Sequence, residues 1–291
     1  MPASAQSVAV RDLSPVDRQL LLLIVLNEIE SRQAALAEES ELESAYFNGD
    51  FEAEYDIEDG RLVQDNRLVS RSTRDHQIWD YFRDIAGSNF TDRYMKEFRV
   101  YDSPESPAAG YVETMQATDP MWILSVNVAE VDLQDSDSRG DLLFLLVHEY
   151  AHILSLNLSQ LNFNQRESSC REYYVDIGCL YSDSYLNQFV EEYWSQSMID
   201  YAETSAEFDD RDTRTERLES FFQANEDEFV SEYAATNPEE DFAESFADFI
   251  FYDKPRGSLG FEQKSRFFYD YHELVRLRTD IRDFLEEEQA L

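Results

Sequence analysis

The sequence predicts an α+β fold in which a small N-terminal sheet precedes a larger helical lobe. Three observations predict it. Apolar and polar residues alternate from Phe47 to Val69, and strand-like stretches recur as far as Val128. The segment from Asp141 to Leu154 is nearly all apolar and too long for a strand, so it reads as a buried helix. Beyond residue 157 the chain reads as helical throughout, interrupted by acidic or Gly/Pro-containing loops. With 43% apolar and 14% aromatic residues, a chain of 291 residues can bury a sizeable core. Residues 1–157 are expected to form an α/β lobe and residues 158–291 a helical lobe, the two making one working unit.

Each element has its own signal. Ser14 caps and Pro15 opens a helix over 14–45, whose apolar run Leu20 to Leu26 is too short to span a bilayer. Asp59-Gly60 marks a hairpin turn inside the first alternating stretch. A short helix follows around His76 to Ile85. Strands are expected over Glu97 to Tyr101, Tyr111 to Gln116 and Trp122 to Val128, with Ser103 to Pro107 as a turn. Later helices are expected over 183–204, 213–224, 238–252 and 261–286. There is no internal repeat.

Charge excludes some partners. Against 62 acidic side chains stand 24 basic ones, a formal net charge of −38, which repels phosphate backbones and anionic headgroups. Nucleic-acid binding and a membrane span are therefore not expected. Lysine is scarce, with only Lys96, Lys254 and Lys264. Acid excess of this kind resembles proteins of salt-loving organisms, and an ordinary acidic exported protein fits equally well. Cys170 and Cys179 lack metal or redox spacing; a local disulfide is the favoured reading and two free thiols the other. A disulfide, with the small-residue pattern Ala3-Ser4-Ala5, points to an extracytoplasmic protein, secreted or periplasmic.

The chemistry concentrates in His148-Glu149-Tyr150-Ala151-His152, inside the apolar helix. Residues i and i+4 share a helix face, so both imidazoles can hold one metal ion while Glu149 reaches a water on its open side. This is the H-E-x-x-H pattern of zinc peptidases, and one Zn²⁺ is the cofactor expected. Buried among apolar neighbours, these groups would incur several kcal/mol of desolvation cost unless satisfied. A catalytic zinc needs a third ligand. Leu158 and Ser155 stand where one metalloprotease class needs His and Gly, and neither His76 nor His272 lies in a ligand pattern. The best remaining candidate is a carboxylate on another helix. Asn237 and Pro238 open one, with Glu240 as capping-box partner, and Glu244 and Asp248 lie on one face of it. Ala243 and Ala247 allow a close helix approach.

H-E-x-x-H followed by E-x-x-x-D resembles the gluzincins, the thermolysin-like clan of zinc peptidases; the stretch from Asn237 to Glu244 is also similar to a group of bacterial secreted metallopeptidases. The resemblance implies a zincin-like fold and hydrolysis of peptide bonds in a peptide or protein substrate, with Glu149 as general base. It makes Glu244 the third ligand and Asp248 the acceptor for the non-ligating nitrogen of His148. Tyr233 is the candidate stabiliser of the oxyanion, with His272 the runner-up. Trp122 to Val128 would be the edge strand that pairs with substrate. The sequence departs from the clan: 92 positions separate His152 from Glu244, and Ala243 and Ala247 replace the usual Asn and Ser. Residues 158–235 would then be an inserted helical subdomain. A catalytically silent, zinc-stabilised binding or cell-surface protein of the same fold is the alternative. The acids Asp132, Asp135, Asp137 and Asp141 miss calcium-loop spacing and read as a solvated loop.

Overall fold

A computed structural model of the chain describes residues 51–64, 72–104, 106, 108–116, 119–129, 131–206, 208 and 211–291. The helix expected over 14–45 lies outside them. The fold is mixed α+β, and nearly all the described residues fall in one compact unit.

Strands β1 (Ala53–Glu58) and β2 (Arg61–Gln64) are joined by Asp59 and Gly60, with φ of 48° and 68°. Two successive positive φ values define the two-residue hairpin turn that Asp-Gly favours. Strands β3 (Met95–Tyr101), β4 (Gly110–Gln116) and β5 (Asp119–Asn127) complete a sheet of order β2-β1-β3-β5-β4. All pairs are antiparallel except β3 with β5. Because the β4–β5 hairpin inserts β5 beside β3, β5 is interior, and β4 is the edge on that side among the described residues. The edge role expected of Trp122 to Val128 therefore passes to β4.

On one face of the sheet Tyr55, Phe98, Leu124 and Val126 pack into a core shared with helix α1 (Thr73–Ala86) and helix α3 (Ser136–Leu156). Helix α2 (Ser88–Tyr94) connects α1 to β3. Asp135 starts α3 by accepting the Ser138 N–H at 2.9 Å, so at least this loop acid serves as a helix cap. Almost every residue from Leu142 to Leu156 is buried, which agrees with the apolar run.

The second half is not helical throughout. Short strands β6 (Leu161–Asn162), β7 (Tyr174–Val175) and β8 (Gly178–Leu180) form a small sheet of order β6-β8-β7, and a disulfide joins Cys170 to Cys179. Strands of two or three residues are too short to show a period. Helices α4 (Tyr185–Tyr193), α5 (Gln196–Ala206), α6 (Arg211–Ala224), α7 (Pro238–Phe251), α8 (Gly260–Phe267) and α9 (His272–Glu287) follow. The helix expected over 183–204 is broken at Trp194, whose indole leaves the helical path to bond Asp241 at 2.8 Å. The one expected over 261–286 is broken by a turn at Phe268–Asp270.

Helix α7 carries most of the remaining chemistry. Asn237 accepts the Glu240 N–H at 2.8 Å, and Pro238 occupies the first turn. Glu239, Glu240 and Asp241 sit in that turn, where the helix dipole favours negative charge. At the other end Arg278 and Arg282 of α9 donate to the carbonyls of Phe249 to Tyr252 that the helix leaves unbonded. Buried Ala243, Phe246 and Ala247 let α7 dock against α3, with Phe246 edge-on to Tyr150.

Candidate metal centre

Helix periodicity places His148 and His152 one turn apart with their Nε2 atoms 3.1 Å from each other. The third member of the group is Glu240, whose Oε2 lies 3.1 Å from His148 Nε2 and 3.3 Å from His152 Nε2. Three donor atoms thus form a nearly equilateral triangle. Ligands about 2.0–2.1 Å from a tetrahedral zinc are spaced at roughly 3.3–3.4 Å, so the triangle has the size of one face of such a site. The donor chemistry, two imidazoles and a carboxylate, suits zinc as well.

Glu244 stands elsewhere. Its Oε1 lies 2.9 Å from His148 Nδ1, the ring nitrogen that faces away from the triangle. It stands beside His148 where Asp248 was expected, and Glu240 stands in the donor group where Glu244 was expected. Asp248 is turned toward Ser265 of α8. The whole E-x-x-x-acid pattern is therefore displaced by one helical turn toward the N-terminus. Sequence reasoning gave Glu240 to the Asn237 cap; Asn237 does cap the helix, but the Glu240 carboxylate turns to the imidazoles. The readable signal was that Glu240 and Glu244 share the i, i+4 spacing of Glu244 and Asp248.

Electrostatics mark the triangle as a place for positive charge. Burial favours neutral His148, but the carboxylates of Glu240 and Glu244 outweigh it and push the imidazole up to about 10. Burial likewise works against ionised Glu240, and the two histidines overcome it, holding that carboxyl well below the usual range. Among the described residues no Lys or Arg pairs with Glu149, Glu240 or Glu244.

Glu149 is only 4% exposed, and burial raises its pKa against the lowering influence of both histidines and the backbone N–H of Val112. That N–H belongs to the sheet edge. Asn127 donates to the Ala109 carbonyl at 2.8 Å, and the same register opposes Val112 to Leu124. Alternate residues of β4 therefore face β5, while Val112 turns its N–H and C=O to the free side. Tyr233 also reaches the site: its ring centre is 5.9 Å from that of His148, and its hydroxyl adjoins Glu240. Desolvation, then the charges of Glu240 and Glu149, raise its pKa far above the ordinary value, so the phenol remains a donor. His272 is exposed at the start of α9 and no contact links it to the site.

Among the described residues the other grouping of metal-binding residue types is Cys170, Glu172 and Cys179, but its sulfurs are consumed by the disulfide. No helix among the described residues is long and apolar enough to cross a membrane. No family model, curated protein or solved structure matches the chain.

Proposed function

We propose that the chain is a zinc-dependent metallopeptidase with a zincin-like fold, of the gluzincin type, that hydrolyses peptide bonds. One observation carries the reading: the triangle of His148 Nε2, His152 Nε2 and Glu240 Oε2, with buried Glu149 beside it. These three residues would hold the ion, with Glu244 orienting His148 from behind. Zinc bound there supplies a Lewis acid that polarises a carbonyl and brings the ionisation of water toward neutral pH.

The chain's own groups do the rest. Glu149 takes the proton of the attacking water and delivers it to the leaving amine; burial makes its carboxylate a stronger base than an exposed one. The protonated Tyr233 hydroxyl donates to the oxyanion that develops on the substrate carbonyl. The outer edge of β4 at Val112 offers its backbone carbonyl to an extended peptide, the N–H of the same residue being directed to Glu149. The Cys170–Cys179 disulfide supports an extracytoplasmic location, secreted or periplasmic.

Zinc content and cleavage of a peptide library, measured for the wild type and Glu149→Ala, test the reading. Near-stoichiometric zinc is expected in both, with cleavage reduced roughly 10²–10⁴-fold in the variant. Wild-type protein that stays zinc-free after supplementation overturns it. Zinc in both, without cleavage of any peptide, assigns the chain instead to zinc-stabilised binding proteins.

A further inference from the structure

Behind the triangle lies a second layer of contacts, centred on Ser231, that no step of the proposed hydrolysis uses. Ser231 Oγ lies 2.8 Å from Glu244 Oε2, and the Ala234 N–H reaches the same Oγ at 3.0 Å. A hydroxyl has one proton and two lone pairs. Because a backbone N–H only donates, Oγ accepts from Ala234, and its proton is free for the Glu244 carboxylate. Glu244 is thereby held at one oxygen by Ser231 while its other oxygen lies 2.9 Å from His148 Nδ1. A carboxylate there selects the tautomer with hydrogen on Nδ1 and directs the Nε2 lone pair into the donor triangle.

We infer that Ser231 is a positioning residue of the metal centre, fixing Glu244 and through it the ring plane and tautomer of His148. The inference rests on the metal-binding reading above and adds to it a group 13 residues upstream of Glu244. The anchoring of Oγ explains why a small side chain can do this. Ser231 lies two residues before the 3₁₀ turn Tyr233–Ala235, and its Oγ is tied to the backbone of that turn. The hydroxyl therefore loses little freedom when it bonds the carboxylate. Without it, Glu244 would retain one contact and could rotate away from Nδ1.

Zinc dissociation constants from competition with a chromophoric chelator provide the test, using Ser231→Ala, Ser231→Thr and Thr236→Ala. Thr236 bonds the Tyr233 carbonyl at 2.8 Å and braces the same turn without touching Glu244. Ser231→Ala is expected to weaken zinc binding about 10-fold, the lower end of what losing an outer-shell partner costs. Ser231→Thr, which keeps the hydroxyl, should restore most of that loss, and Thr236→Ala should leave affinity near wild type. Unchanged affinity in Ser231→Ala, with zinc bound by the wild type, overturns the inference and leaves the metal site standing. Equal weakening in Ser231→Ala and Thr236→Ala also overturns it, since a loosened turn then suffices. A wild type that binds no zinc sinks the metal reading on which it rests.

Discussion

Glu240 and Asp241 are neighbours in the first turn of α7, the first half-buried and the second buried, yet they face different partners and are satisfied in different ways. Asp241 is 0% exposed and meets Lys264, also 0% exposed, at 2.6 Å. Trp194 donates to the same carboxylate, and the Lys264 ammonium lies 3.9 Å above the Phe229 ring. That pair carries its own counter-charge and closes on itself. Around Glu240 there are three carboxylates, counting Glu149 and Glu244, and only two imidazoles. One side of the helix is balanced within the protein. The other side has more carboxylates than imidazoles and could hold a metal ion.

The comparison breaks most sharply at Lys264. Lys264→Met leaves Asp241 buried without its partner and should cost about 3–5 kcal/mol, a large share of a typical domain's stability. Combining it with Asp241→Leu should recover most of the loss, because replacing both members of a buried pair with apolar groups is often close to neutral. Chemical denaturation of the three variants measures this. Zinc stoichiometry should survive in every variant that folds; if it fails in the folded double variant, the two sides of α7 are not independent.

A smaller effect separates the two glutamates of the site. Glu244→Ala should weaken zinc binding roughly 10–100-fold, as loss of an orienting partner does, and Glu240→Ala should weaken it further. Calorimetric titration with zinc ranks them. The reverse order would return the ligand role to Glu244.

The mildest test is by pH. Burial pushes Asp241 up to about 6, against the pull of Lys264 and Trp194. A folded-state pKa above the unfolded one contributes stability that is present below about pH 4 and lost as pH rises through about 6. Wild type should therefore lose stability relative to Asp241→Asn across that interval in thermal melts. A gap that stays constant from pH 4 to 7 would show that Asp241 is not perturbed.

What was legible in the sequence was what a few neighbouring residues decide. Asp59-Gly60 specified its hairpin because it tolerates two positive φ values in succession. The expected strands β3 to β5 match their alternating stretches, although which of them is the edge depended on how the hairpin enters the sheet. The strands between Leu161 and Leu180 were too short to leave a pattern. Lys264 gave only a faint signal, as one of three lysines in an arginine-rich chain. Its burial became visible once α8 was seen against α7.

The sequence by itself determined that His148, Glu149 and His152 lie together, because a 3.6-residue helix repeat acts within five residues whatever surrounds them. It also determined that Glu240, Glu244 and Asp248 lie along one stripe of a second helix, for the same reason. Which of the three meets the imidazoles was a matter of about 6 Å of sliding, the rise of four residues along a helix axis. Local spacing is identical at each step, so it cannot choose among them. The docking of α7 on α3, with Phe246 edge-on to Tyr150, brought Glu240 to the paired Nε2 atoms, because close-packed side chains fix the axial register of two helices.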